Sequence, residues 1–353
     1  RRLRRQPLAG APAAANGEGA GARAAAVEAR AERRRLRGAL QRYRLRIALA
    51  DGERREQSLA EVLRVYRPND LSVAQRFTIY LDRLGDFLTG APGASGGGVG
   101  VFPALVGTVM LVLLMAVLVT PLGVLAAVYL HEYARQGPVT RLVRIAVNNL
   151  AGVPSLVYGV FGLGFFVYVL GGEIDALLFA ERLPSPTFGT PGLLWAALTL
   201  ALLTLPVVIV ATEEGLARIP RSLREGSLAL GATRAETLWR VVLPMASPGM
   251  VTGLVLAVAR AAGEVAPLML VGVVKLAPSL PVSERFPFVH LEQKFMHLGF
   301  HIYDVGFHGP NPDANRSLVY ATAFLLVLIT LLLNLAAIVL RHRLRERYKA
   351  LQT

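Results

Sequence analysis

The chain has 353 residues, of which 54% are hydrophobic and 18% are charged, with a formal net charge of +14 and no cysteine. This composition excludes an ordinary water-soluble domain and indicates a polytopic membrane protein. Without cysteine, the chain has neither a disulfide framework nor a thiolate metal site.

The first hundred residues differ from the rest, with 19 Arg and no Lys against 10 acidic residues. This Ala/Gly-rich segment lacks aromatic interleaving, which favours anionic lipid or a solvated linker over nucleic acid. Residues 1–27 are of low complexity and predicted to be flexible. A short strand starting at Arg46, a helix capped at Ser58 and a helix over 73–88 are predicted next. The Gly/Ser-rich run ending at residue 100 predicts a domain boundary.

Five largely apolar stretches follow, each long enough to cross a hydrocarbon core about 30 Å thick. The fourth contains the only charges within them, Arg260 and Glu264. The predicted membrane spans are 102–130, 145–172, 188–212, 248–274 and 318–340. Because the chain starts at Arg1 rather than Met, we expect a native amino terminus upstream.

Arginine placement predicts the orientation of these spans, because cytoplasmic loops carry an excess of Lys and Arg. The loop 131–144, the segment 219–244 and the tail after 340 are Arg-rich, whereas 173–187 and 275–317 are not. The carboxyl terminus is therefore expected in the cytoplasm. Alternation then places residues 1–100 outside.

The charged segment 219–244 is predicted to form two short helices outside the bilayer. Ser222 with Glu225 and Thr233 with Glu236 have the spacing of capping boxes. Gly231 is expected in a left-handed conformation that ends the first helix, and Pro244 is expected to stop the second. On these features alone, the segment is either a solvated connector or a docking element.

The same segment carries a resemblance to a known family. From Glu225 the chain reads EGS, three residues, Gly231, nine residues and VVLP. This pattern resembles the EAA loop of bacterial ABC importer permeases, with Gly226 and Ser227 replacing two alanines and Val241 replacing isoleucine. NNLAGVPSLVYGVFGLG from Asn148, the run from Thr190 and RAAGEVAPLMLVG from Arg260 resemble PstA-type permeases of phosphate importers.

The resemblance implies an all-α polytopic membrane helix bundle of the MetI-like type with a cytoplasmic coupling elbow. The domains are then 1–100, a permease domain over 101–345 and a cytoplasmic tail over 346–353. The ATPase-coupling residues it implies are Glu225, Gly226, Ser227, Gly231, Leu243 and Pro244. A first span before Arg1 is also implied.

The function implied by the resemblance is transport of phosphate across the bacterial inner membrane. The implied partners are a second similar permease subunit, cytoplasmic ATPase subunits and an extracytoplasmic phosphate-binding protein. The chain has no phosphate-binding P-loop, so we expect no cofactor and expect ATP hydrolysis on a partner. Alternatives are a permease for another oxyanion or small solute, a membrane sensor or scaffold, and an intramembrane enzyme. The enzyme would need a nucleophile or metal constellation that the sequence does not offer.

Arg260 and Glu264 are the candidate translocation residues. Their i, i+4 spacing allows pairing along one helix face, and Arg260 is expected near the bilayer centre. A charge there is costly and usually faces a bundle interior or watery path. Arg260 suits an anion that crosses the membrane, because its guanidinium can donate two hydrogen bonds to phosphate oxygens. The RAAGE run resembles the intramembrane pair of phosphate permeases. The alternative is that the two residues only satisfy each other.

Two further features leave alternatives open. The loop 275–317 is too long for a simple connector, so it is either a packed cap, a closing segment or a contact for a binding protein. Its His297 and His301 have i, i+4 spacing, which makes a metal site a minor alternative. Asn148 and Asn149 are interpreted as hydrogen-bonding groups at a helix end, with a substrate role as the alternative.

Overall fold

The three-dimensional structure is a computed structural model that describes residues 70–92, 100–277, 279–284, 286–308 and 315–349, together with parts of 28–59. The chain forms two compact units, Arg1–Gly100 and Val101–Thr353. Each unit is described by itself below.

The first unit contains a hairpin and a helix. Strands β1 (Arg44–Ala48) and β2 (Arg54–Ser58) pair antiparallel. Helix α1 (Val73–Thr89) starts at Ser72, which forms a capping box with Gln75. The predicted helix over 73–88 is confirmed, and the predicted strand is present but starts at Arg44 rather than Arg46. Ser58 ends a strand, and the helix predicted after it falls on residues outside the described part.

Among the described residues of the second unit, five helices are long and apolar enough to cross a membrane, which confirms the predicted number and the all-α membrane fold class. We call them spans 1 to 5: Phe102–Tyr133, Ser155–Leu178, Leu193–Ala217, Arg234–Gly263 and Arg316–Arg343. Their α-helical parts and the shorter helices are α2 (Phe102–Val128), α3 (Pro138–Leu150), α4 (Ser155–Phe161), α5 (Gly172–Leu178), α6 (Leu193–Ala217), α7 (Arg221–Ala229), α8 (Arg234–Thr237), α9 (Leu243–Gly263), α10 (Leu268–Val271), α11 (Leu298–Tyr303) and α12 (Arg316–Lys349).

Span 2 starts later than predicted. The predicted stretch 145–172 is interrupted by a non-helical segment at residues 151–154, where α3 ends and α4 begins. Pro154 disfavours helical backbone at the residue before it, so the helix stops there. Hydropathy does not register the break because both sides of it are apolar.

Span 4 differs from the prediction at both ends. Pro244 does not stop a short helix, because a π-helical turn over Leu238–Val242 precedes it and the helix continues to Gly263. The wider turn accommodates the missing proline amide. At the far end the helix stops at Gly263, and Glu264 has extended backbone dihedrals. The predicted span 248–274 therefore becomes Arg234–Gly263.

Span 3 is the most deeply buried of the five spans and packs against spans 1 and 4. Small residues bring the helices together. A Cβ atom added to Gly249 would lie 2.7 Å from the Cα of Gly215, and one added to Gly123 would lie 2.5 Å from Val208 Cγ1. Such approaches provide the van der Waals contact that holds helices together in lipid.

The segment 291–301 is a packed cap over the start of span 3. Leu193 N donates to Gln293 O at 2.9 Å, and Leu194 N donates to Leu291 O at 2.9 Å. These bonds satisfy amides of a helix's first turn that lack helical partners. Phe295 is buried in the main core. Of the alternatives for this loop, the packed cap describes these residues.

The cap contains a buried histidine whose ionisation we expect to affect stability. Burial lowers the pKa of His297 to about 4, and its Nδ1 accepts a bond from Gly299 N at 3.1 Å. Between pH 6.5 and 4 the unfolded chain binds more protons than the folded one, so stability rises with pH across this window. Burial also lowers the pKa of His301.

We predict that wild-type protein in detergent is less stable at pH 5 than at pH 7, by on the order of 2 kcal/mol from His297. Thermal unfolding at the two pH values measures the difference. His297→Asn keeps an acceptor for the Gly299 amide and removes the titrating ring, so its unfolding temperature should depend less on pH. An equal pH dependence in the variant would contradict this account.

Candidate translocation and coupling sites

Arg260 and Glu264 form the predicted ion pair, with Arg260 Nε 3.6 Å from Glu264 Oε1. The geometry differs from a pair along one continuous helix. Arg260 lies in the last turn of α9, and Glu264 caps that helix in extended backbone. The side chains are 31% and 20% exposed, respectively. Both charges therefore lie where a spanning helix ends and remain partly accessible.

Helix contacts give the depth of Arg260. Spans 3 and 4 are antiparallel, and the backbone of Val208 lies against Gly253. Moving seven residues along each helix brings Arg260 level with about Ala201. At 1.5 Å per residue, Arg260 is then about 12 Å from the start of span 3 and about 24 Å from its end. It lies within the apolar layer, displaced from the centre towards the end of the bundle where span 3 starts.

A second break in helical structure, at residues 151–154, lies close to this pair. The Tyr158 hydroxyl donates to Leu150 O at 2.6 Å, which ties α3 to α4 across the break at 151–154. A Cβ atom on Gly159 would lie 2.7 Å from the Cα of Pro267. Helix breaks at membrane depth occur where protein or a cavity surrounds them, so this location suits a pathway.

The elbow, which we define as residues 219–244, has one of its two predicted capping boxes. Thr233 N donates to Glu236 Oε2 at 2.9 Å, and Glu236 N donates to Thr233 Oγ1 at 3.2 Å. The box at Ser222 and Glu225 is wrong, because α7 starts after Pro220 and has no side-chain cap. Pro220, whose φ is fixed by its ring, is the N-cap residue of this helix, and Ser222 lies inside the first turn.

Gly231 has the predicted left-handed conformation, with φ of +88°. Gly231 N donates to Leu228 O, and Ala232 N donates to Ser227 O, which is the Schellman arrangement. The Ser227 and Thr237 hydroxyls lie 2.9 Å apart and join the two arms of the elbow. Its turn is therefore held by both backbone and side-chain bonds.

Of the remaining predicted coupling residues, Glu225 and Gly226 are exposed on α7. Leu243 and Pro244 are partly buried where the elbow enters span 4. Leu243 packs against a cluster that joins the elbow to the ends of spans 1, 3 and 4, formed by Val128, Leu216, Ile219, Leu238, Val242, Met245 and Ala246. The six predicted coupling residues therefore lie in three places: on α7, at the turn of Gly231 and at the partly buried start of α9.

Two ion pairs near the elbow were not predicted from the sequence. Arg224 contacts Glu132 at 2.9 Å and donates to Leu216 O at 2.9 Å. Arg144 contacts Glu213 at 3.2 Å. Glu132, Arg144 and Glu213 lie within two residues of the ends of predicted apolar stretches, which was the available signal, whereas Arg224 lies on the elbow. The partners are 69 or more residues apart, so only the fold pairs them.

The sequence matches the model of the family "Binding-protein-dependent transport system inner membrane component" over residues 119–349. The chain belongs to this family. It is a multi-pass membrane permease component, as the resemblance implied.

Several curated proteins are similar. Phosphate transport system permease protein PstA 1 of Mycobacterium tuberculosis is 43% identical over 174 residues, 49% of this chain and 51% of that protein. The chain thus spans about half the length of that relative. Probable ABC transporter permease protein YqgI of Bacillus subtilis is 31% identical, covering 71% of this chain and 81% of its own. An inward-facing MetNI methionine ABC transporter aligns with TM-score 0.49 at 22% identity, covering 69% and 94% of the two chains.

We predict opposite effects for alanine at two elbow glycines that both have open space around them. Gly231→Ala should destabilise the elbow by about 1–2 kcal/mol, because a left-handed backbone is costly for residues with a Cβ. Gly226→Ala, inside α7, should stabilise it by about 0.5–1 kcal/mol. Hydrogen exchange of the elbow amides measures both. Equal exchange in the two variants would show that the turn does not depend on Gly231.

Proposed function

We propose that this chain is the permease subunit of an ATP-driven phosphate importer and forms part of the translocation pathway. Membership of the family makes it a transport component. The observation that supports an anion as cargo is Arg260, a partly accessible guanidinium held within the apolar layer. Similarity to phosphate transport permeases supports phosphate among the anions.

Arg260 is suited to transient binding of phosphate. Its contact with Glu264, at 3.6 Å, is longer than a hydrogen bond. Among the described residues, no hydrogen bond engages its guanidinium, which leaves the forked donors for phosphate oxygens. Glu264 orients the arginine and opposes tight capture by like-charge repulsion. Weak retention is what a transport site requires.

The elbow is suited to contact a cytoplasmic ATPase subunit. Leu230 and Trp239 are 92% and 68% exposed there, so the elbow offers apolar groups to a partner. The apolar cluster around Leu243 and the Arg224–Glu132 ion pair join the elbow to spans 1, 3 and 4. A push on the elbow would therefore move those spans together. We expect Gly231→Val to lower transport and its coupling to ATP hydrolysis while the subunit is still made.

The proposed assembly also includes a second similar permease subunit, an extracytoplasmic phosphate-binding protein and membrane lipid. Spans 2 and 5 keep many apolar side chains exposed, which suits contact with lipid and a second subunit. The Arg-rich loops support a cytoplasmic elbow and carboxyl terminus in the bacterial inner membrane, with residues 1–100 and the cap outside.

We predict that the reconstituted complex takes up labelled phosphate in preference to sulfate or molybdate. Arg260→Gln should assemble normally and abolish this uptake, because the anion loses its cationic partner in the apolar layer. Arg260→Lys should impair uptake, because the lysine ammonium does not form the paired hydrogen bonds that a planar guanidinium makes to two oxygens. Uptake by proteoliposomes and the amount of assembled complex are measured together. Wild-type uptake rates in Arg260→Gln would show that the pair is only structural.

We predict the orientation from single cysteines introduced into this cysteine-free chain. A cysteine at Ser222, on the elbow, should resist a membrane-impermeant thiol reagent added outside intact cells. A cysteine at Ser279, on the loop after span 4, should react because that loop faces outward. The reverse pattern would invert the topology and remove the elbow from the ATPase side.

A further inference from the structure

An open cavity of about 320 Å³ lies between the end of α3, span 3 and α9, and the Asn148, Val210, Glu214 and Leu256 side chains in its lining are exposed. None of its residues belongs to the ion pair or to the elbow contacts described above. Its lining includes Asn148, Ala151, Val210, Glu214, Thr252 and Leu256.

The α9 residues that line the cavity lie on the same helix face as Arg260. Thr252, Leu256 and Arg260 follow one another at intervals of four residues, so they lie on neighbouring positions of one helix face. Thr252 and Leu256 line the cavity. Since α9 runs from the elbow towards Arg260, the cavity lies on the elbow side of that arginine. An anion leaving Arg260 towards the elbow would enter it.

The polar groups of the cavity differ in what they offer to an anion. Among the described residues no hydrogen bond engages the Asn148 amide, so its two N–H groups are available as donors. Thr252 Oγ1 already donates to Pro248 O at 2.7 Å and is left as an acceptor. Glu214 is an acceptor whose nearest cation, Arg218, is 3.9 Å away. The remaining wall is mostly apolar.

We propose that this cavity is a second, inward subsite for a tetrahedral oxyanion that carries a hydroxyl group. Asn148 donates to an oxygen of the anion, and Glu214 accepts from its hydroxyl. Phosphate keeps at least one proton near pH 7, whereas sulfate has none to give and would meet the carboxylate with only like-charge repulsion. The subsite rests on the proposed phosphate transport and extends it to how the anion leaves and is discriminated.

The first test measures binding without transport. Asn148→Cys places a thiol in the cavity, and Asn149→Cys, the neighbouring residue outside the lining, is the matched control. In the assembled complex, inorganic phosphate should slow modification of Asn148→Cys by a charged thiosulfonate reagent, and sulfate should slow it less. The Asn149→Cys rate should not change. Equal protection at both positions, or protection at neither, would overturn the subsite.

The second test measures transport. Asn148→Leu should lower phosphate uptake roughly tenfold, the effect of one hydrogen bond to a charged group, while Asn148→Gln retains a donor and most of the uptake. Asn149→Leu should transport normally. Glu214→Gln should reduce the preference for phosphate over sulfate. Unchanged uptake in Asn148→Leu would refute the subsite alone, whereas a wild-type complex that takes up no phosphate would refute the proposed function.

Discussion

The structure depends on one constraint, which is that the hydrocarbon core offers no water to satisfy polar groups. Five helices satisfy their own backbones, and the chain leaves helical geometry within the apolar layer at only a few described places. At those places other groups supply the missing bonds. The Tyr158 hydroxyl donates to the carbonyl at the end of α3, and Gly192 N donates to Val271 O at the end of α10. Irregular backbone is therefore confined to positions that the bundle itself can satisfy.

This confinement explains where the intramembrane charges lie. A charge on a lipid-facing helix would be expensive, whereas the Arg260 and Glu264 side chains beside a break are only 31% and 20% exposed. Arg260 and Glu264 lie at the end of α9, and the cavity bearing Asn148 lies along the same face towards the elbow. The breaks, the charges and the cavity occupy one strip of the bundle. Removing charges from water costs free energy, so the Arg260–Glu264 pair is weak evidence for stability. We therefore interpret this strip as functional.

The elbow is mechanically joined to this strip. Close glycine contacts hold spans 3 and 4 at short distance, and the elbow connects the end of span 3 to the start of span 4. Ion pairs of Arg224 and Arg144 extend the connection to span 1 and α3. Because packed helices at van der Waals contact move as units, we expect a displacement of the elbow to reach spans 3 and 4, which form two walls of the cavity.

The sequence by itself determined the membrane class, the number of spans, the left-handed Gly231 and the capping box at Thr233, because each depends on composition or local backbone chemistry. It also identified the Arg260–Glu264 pair from spacing. The tertiary structure decided the rest. The breaks at 151–154 and 264–267 are invisible to hydropathy, and Pro244 was misjudged because a π-helical turn compensates for it. The Arg224–Glu132 pair and the cavity at Asn148 arise between distant segments. Such features depend on which helices meet, and one sequence does not specify that pairing through local preferences.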